Sequence, residues 1–101
     1  MPETVSLDDL EAEPHAVVFP DAEPRTVRLR LAAGERVPAH RHPGRRVVLH
    51  VLSGRLALDL DDETYPVEAG EVIRFDGERE ISPLAETDSV ALVVLARGDD
   101  E

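Results

Sequence analysis

The sequence contains no cysteine, lysine, asparagine, glutamine or tryptophan. Without cysteine there are no disulfides, no thiolate metal ligands and no thiol chemistry. Phe19, Tyr65 and Phe75 are the only aromatic residues, so the core must be aliphatic, built from Val, Leu and Ala. No apolar run approaches the ~18 residues that a membrane-spanning helix needs. The first residues, Met-Pro-Glu-Thr-Val-Ser-Leu-Asp-Asp, lack the basic region and apolar stretch of a secretory signal, and the expected location is cytoplasmic. With lysine absent, all 11 basic residues are arginine, set against 22 acidic residues for a net charge of -11. Such a surface repels nucleic acid and anionic membrane, which excludes both as partners. Acidic excess together with total loss of lysine indicates a halophilic protein. In a very salty cytoplasm the Debye length falls to ~3 Å at 1 M and screens repulsion among carboxylates.

What is present is a rhythm of short strands. With 101 residues the chain fits one domain, which buries somewhat over ~60% of its unfolded surface. Residues 1–14 form an acidic arm, in which Ser6 to Glu11 suits one helical turn capped by Ser6, or no regular structure. Ala16 to Phe19 reads as a first strand, and Pro20 to Pro24 as a turn. In Arg25 to Leu31 the apolar residues alternate, with Val27, Leu29 and Leu31 facing inward and Arg28 and Arg30 outward. Arg36 to His42 is expected to be a strand interrupted by Pro38. Arg46 to Leu52 is a nearly continuous apolar strand of the kind covered on both faces. Arg55 to Leu60, Thr64 to Val67, Glu71 to Phe75, a short strand near Glu80-Ile81, and Ser89 to Ala96 complete the set. Strands at this spacing, with turn signals between them and no long helix, argue for an all-β barrel or sandwich.

One stretch carries chemistry. His40 and His42 are spaced i, i+2. On a strand that spacing puts both rings on one face, about 7 Å apart along the backbone, where two imidazoles converge on one metal ion. Gly34 precedes the pair and Gly54 follows it, while Gly70-Glu71 opens a second glycine-led strand. In this arrangement the chain resembles a small single-domain cupin over roughly residues 25–96. The resemblance implies a cupin-type β-barrel (double-stranded β-helix, or jelly roll) and a domain plan of residues 1–24 as arm and first strand, 25–96 as barrel, and 97–101 as an acidic tail. It also implies a metal site of four ligands, of which His40 and His42 match. Val47 stands where the family has glutamate and Ile81 where it has histidine, so the site is incomplete.

These residues set the functional expectations. His40 and His42 are candidate ligands for a weakly held divalent ion (Fe, Mn, Ni or Zn), and Glu80 is a candidate third ligand if a bulge turns it inward. Val47, Leu49 and Ile81 are expected to line an apolar pocket that takes a small molecule. His50 falls on the opposite face from Val47 and is expected to be structural or interfacial. His15 is expected to sit at the surface, and Arg41, Arg45 and Arg46 to pair with surface acids. The expected function is a small-molecule-binding cupin, a homodimer because exposed sheet edges need covering. The alternative is a divergent metal-dependent oxygenase or isomerase using His40, His42 and Glu80.

Overall fold

The computed structural model describes residues 2–98. Eight strands follow in order: β1 His15–Val17, β2 Arg25–Leu31, β3 Arg45–Ser53, β4 Arg55–Leu60, β5 Glu63–Glu68, β6 Val72–Asp76, β7 Ile81–Ala85 and β8 Ser89–Arg97. They form a five-stranded sheet in the order β1-β2-β8-β3-β6 and a three-stranded sheet in the order β5-β4-β7. All pairings are antiparallel. The two sheets face each other as an all-β jelly-roll barrel.

The alternation read in the sequence decides which side chains fill it. Val47, Leu49 and Val51 of β3 point inward, as do Leu56, Leu58 and Leu60 of β4, and all six are at most 2% exposed. Across the large sheet Val47 lies opposite Leu95, and Leu49 opposite Val93, so each inward row is continuous from strand to strand. Gly54 ends β3 with φ +83, and a Cβ there would stand 2.8 Å from the Ser89 backbone. That crowding and the left-handed φ both require glycine at this turn.

Three sequence expectations are corrected. Arg36 to His42 is not a strand: it forms only two isolated β-bridges with β7, Arg36 to Leu84 and His40 to Ile81. Pro38 lies between them and cannot donate a ladder hydrogen bond. Arg28 does point away from the core, but it is 0% exposed rather than solvated. The N-terminal arm folds over it. The arm holds one 3-10 turn, Leu7–Asp9, with Ser6 at the N-cap position but no hydrogen bond from its side chain. Arg28 donates to the carbonyl oxygens of Leu7 (3.0 Å) and Ala12 (2.8 Å), with a longer contact to that of Leu10 at 3.5 Å. Its Nε has no partner among the described residues. The third is partial: His15 is exposed, as expected, but it is the first residue of β1 rather than part of the arm before it. At the other end β8 runs through Arg97, and the Gly98 N–H donates to the Gly44 carbonyl at 2.8 Å. The rest of the expected acidic tail, residues 99–101, lies outside the described residues.

Candidate functional site

The histidines sit on the irregular segment that Pro38 creates. His40 is held to β7 by a reciprocal pair of backbone bonds, its N–H to the Ile81 carbonyl at 3.0 Å and the Ile81 N–H to its own carbonyl at 2.8 Å. His42 is held by the turn after β6, its N–H donating to the Gly77 carbonyl at 2.8 Å. Gly77 in turn donates to the Arg45 carbonyl at 2.8 Å, which closes the loop onto that turn. The two rings lie edge to face with centroids 4.7 Å apart. Nδ1 of His40 is 2.9 Å from the Pro38 carbonyl oxygen. A carbonyl only accepts, so Nδ1 carries the hydrogen, and Nε2 of the neutral ring keeps a free lone pair.

Both rings face a cavity of about 400 Å³. Val47 and Leu49 of β3 line it, with Val93 and Leu95 of β8 beside them. Val27 and Leu29 of β2 and Val17 of β1 continue that wall. Ile81 and Pro83 of β7 and Val37 form the facing wall. Two further bases, His15 and Arg25, complete the lining. The floor is buried, with Val47 0%, Leu49 1% and Ile81 4% exposed. The bases are nearer the solvent: His40 and His42 are half-buried, and His15 and Arg25 are exposed.

The imidazoles respond to this setting. His42 is held below its ordinary pKa first by burial, then by the positive fields of His40, His15, Arg25 and Arg45. His15 is lowered by burial and then by His40.

His40, His42, Val47, Leu49 and Ile81 thus border one space. Glu80 does not line it, and its carboxylate is 4.0 Å from the Arg41 guanidinium. Among the described residues no group of three or more His, Asp or Glu side chains is placed to hold a metal ion. The donor set therefore fits half of a tetrahedral shell, in which water or ligand atoms would complete the coordination. His50 is half-buried on the other face of β3, opposite Leu92 and Val72 of the neighbouring strands. Arg45 pairs with Glu23 at 2.9 Å and donates to the Leu95 carbonyl.

The sequence reading missed His15 and Arg25 as cavity residues. His15 pairs with Leu29 and Val17 with Val27, a register symmetric about Ala22. Opposite residues of an antiparallel pair share a face. A hairpin centred on the Pro20–Pro24 turn would therefore have placed His15 on the inward side with Leu29.

A family model described as a cupin domain matches residues 27–96. The chain is similar to the cupin domain of Cnp3 from Schizosaccharomyces pombe at 17% identity and a TM-score of 0.82, covering 94% of this chain and 74% of that one. It is similar to an RmlC-like cupin from Shewanella frigidimarina at 12% identity and a TM-score of 0.78, covering 99% and 95%. At these identities the likeness shows the fold alone. In sequence, 36 residues are 47% identical to the polyketide synthase CurC of Streptomyces cyaneus, covering 36% of this chain. The chain spans only 23% of that relative's length. No helix among the described residues is long and apolar enough to cross a membrane.

Proposed function

The chain belongs to the cupin family, and on that basis we propose that it binds a small molecule in the barrel, beside a divalent ion held weakly by His40 and His42. The observation that carries this reading is two imidazoles 4.7 Å apart at the wall of a cavity of about 400 Å³ whose floor is aliphatic. That volume falls in the ~300–1,000 Å³ range of small-molecule sites, and an apolar interior with a few converging polar groups is their usual make-up. The ring separation allows both imidazoles to reach one ion through bonds of about 2.1 Å. With Val47 and Ile81 in place of further donors, the ion exchanges readily and keeps open positions for ligand atoms. Bound there, a divalent ion would supply a Lewis acid. The chain's own part is to orient the two rings, through the Pro38 carbonyl and the Gly77 turn, and to exclude water from the floor. An oxygenase or isomerase using Glu80 as third ligand requires that carboxylate to leave Arg41 and turn into the barrel.

The reading extends to the assembly and setting of the protein. The outer face of the large sheet carries Val48, His50, Leu52, Val72 and Leu92, with Leu52 40% and Val72 59% exposed. This is the face on which a second copy docks to form a homodimer, covering the β6 edge. The net charge of -11 suits a cytoplasm of high salt.

Metal titration tests the site. One weak binding event for Zn²⁺ or Mn²⁺ is expected on chelator-treated protein, lost in His40→Ala. Tight stoichiometric binding by the parent chain that is lost in Glu80→Ala would overturn it in favour of the two-histidine, one-carboxylate enzyme.

A further inference from the structure

We propose that the cavity is built for an amphipathic anion: an aliphatic body on the buried floor and a carboxylate-type head among the bases at its mouth. This rests on the small-molecule reading above and adds the sign of the ligand's charge.

The argument begins with an inversion of charge. The molecule carries 22 acidic residues against 11 basic ones. Yet every side chain with a polar atom in the cavity lining is a base: Arg25, His15, His40 and His42. Among the described residues, no carboxylate and no hydroxyl lines it. Even with the 4 histidines added to the 11 arginines, acids outnumber bases 22 to 15 in the sequence, so an acid-free lining is not what random placement gives. Topology produces the inversion. Arg25 lies opposite Leu95, which lies opposite Val47, so Arg25 occupies the inward face of the sheet at the end of β2. His15 lies opposite Leu29, also on the inward face.

Arg25 is the permanent charge among these bases. Most of the other arginines are paired within 4.0 Å of a carboxylate, as in Arg30–Glu13, Arg36–Asp59, Arg45–Glu23 and Arg79–Asp61. Arg25 has no such partner among the described residues. Its guanidinium is exposed at the mouth, where a planar fork of donors matches a carboxylate. Arg25 borders the same cavity as His15, His40 and His42.

The floor fixes the rest of the ligand. Val47, Leu49 and Ile81 are almost fully buried and offer no hydrogen-bonding group. A small hydrophilic dianion would lose its hydration against that floor without compensation. A cation would meet repulsion at the mouth and no acid inside. An aliphatic monoanion satisfies both ends.

The probes are octanoate, octan-1-ol and octylammonium, which share one body and differ in head charge. They are titrated calorimetrically into the full chain, with chelator present so that no metal recruits the carboxylate. Octanoate is expected to bind roughly tenfold tighter than octan-1-ol, the scale of one charge-assisted hydrogen bond, and octylammonium weakest. Arg25→Gln should remove most of the advantage of octanoate over octan-1-ol; Arg25 is exposed, so the variant should fold, and a thermal melt checks it. Equal binding of octanoate and octan-1-ol, unaltered by Arg25→Gln, would overturn the anion assignment and leave the small-molecule reading standing. Tightest binding by octylammonium would overturn it as well. Failure of all three probes to bind would overturn both readings.

Discussion

Replacing Arg28 by Met should release the N-terminal arm. Arg28 is 0% exposed, and its guanidinium is satisfied chiefly by the carbonyl oxygens of Leu7 and Ala12. Removing a hydrogen bond to a charged group costs about 1.5–3 kcal/mol. The two short bonds together would set a loss of roughly 3–6 kcal/mol if the carbonyls stayed buried. Two effects reduce it. Nε has no partner among the described residues, and relieving a buried unsatisfied donor returns about 1–3 kcal/mol. The arm can also lift off and give its carbonyls to water, which caps the cost at the arm's own docking energy. A net loss of ~2 kcal/mol follows, or ~8–16 °C in melting temperature for a chain of this length. Thermal melts and amide hydrogen exchange read the two parts separately. Exchange should accelerate at the amides of Leu10 and Arg30, which bond the Leu7 and Pro14 carbonyls in the intact arm. Arg28→Lys keeps the charge but not the fork, and should fall between. If Arg28→Met melts within ~2 °C of the parent and those amides exchange at the same rate, the reasoning is wrong and the buried cation merely breaks even.

Salt should stabilise the protein, since a net charge of -11 repels itself in dilute buffer; a melting temperature that is flat or falling up to molar KCl refutes the halophilic reading. Acid should destabilise it well before the carboxylates titrate. His15 and His42 have folded pKa values below their ordinary 6.5, so the unfolded chain binds more protons just below that pH. Stability should therefore be full above about pH 6.5 and decline as pH falls toward the depressed folded values, with a shallower slope in a His15→Gln, His42→Gln double variant; an unchanged slope counts against it. Val47→Glu should cost about 3 kcal/mol by burying an unpaired carboxylate, while Val47→Glu with Ile81→His should raise divalent affinity by orders of magnitude; titration and melts of both variants check this, and no gain in affinity would show that the side chains do not converge. Val72→Glu with Leu52→Glu should shift sedimentation from dimer to monomer without lowering the monomer's melting temperature, and a parent that already sediments as a monomer rules out the docking face.

The fold was legible because alternation is a local signal that burial obeys. Val27, Leu29 and Leu31, read as inward from their spacing alone, are all at most 6% exposed. Alternation tells which way a side chain points but not what lies over it. Arg28 was rightly placed off the core, yet the covering arm comes from residues 7–12, far away in sequence. The histidine segment exposed a second limit. A strand reading of Arg36 to His42 gives the rings a shared face by periodicity, whereas the structure joins them through two separate anchors, Ile81 and Gly77. Nothing in the local sequence encodes those anchors, because each is a contact across some 35 to 41 positions. His15 shows the opposite case: its place was encoded in hairpin symmetry, a signal that needs the pairing partner to be considered along with the residue.

Gly77 has consequences for how such a pocket can change. A Cβ at this position would collide with the His42 carbonyl oxygen and stand 2.7 Å from that of Arg45. The obstacle is backbone on both counts, so no rotamer relieves it. The height of the histidine loop above β6 is thus set by the absence of a single methyl group. Any larger residue must lift the loop and tilt His42 relative to His40, whose anchor on Ile81 is independent. Substitutions at Val47 or Ile81 alter the chemistry of the site at a cost in burial, but they leave the loop's backbone where it is, because only side chains meet there. Substitution at residue 77 would instead alter the alignment of two rings whose identities stay the same. The pocket's contents can therefore change side chain by side chain, while its scaffold accepts only glycine at the hinge of the loop.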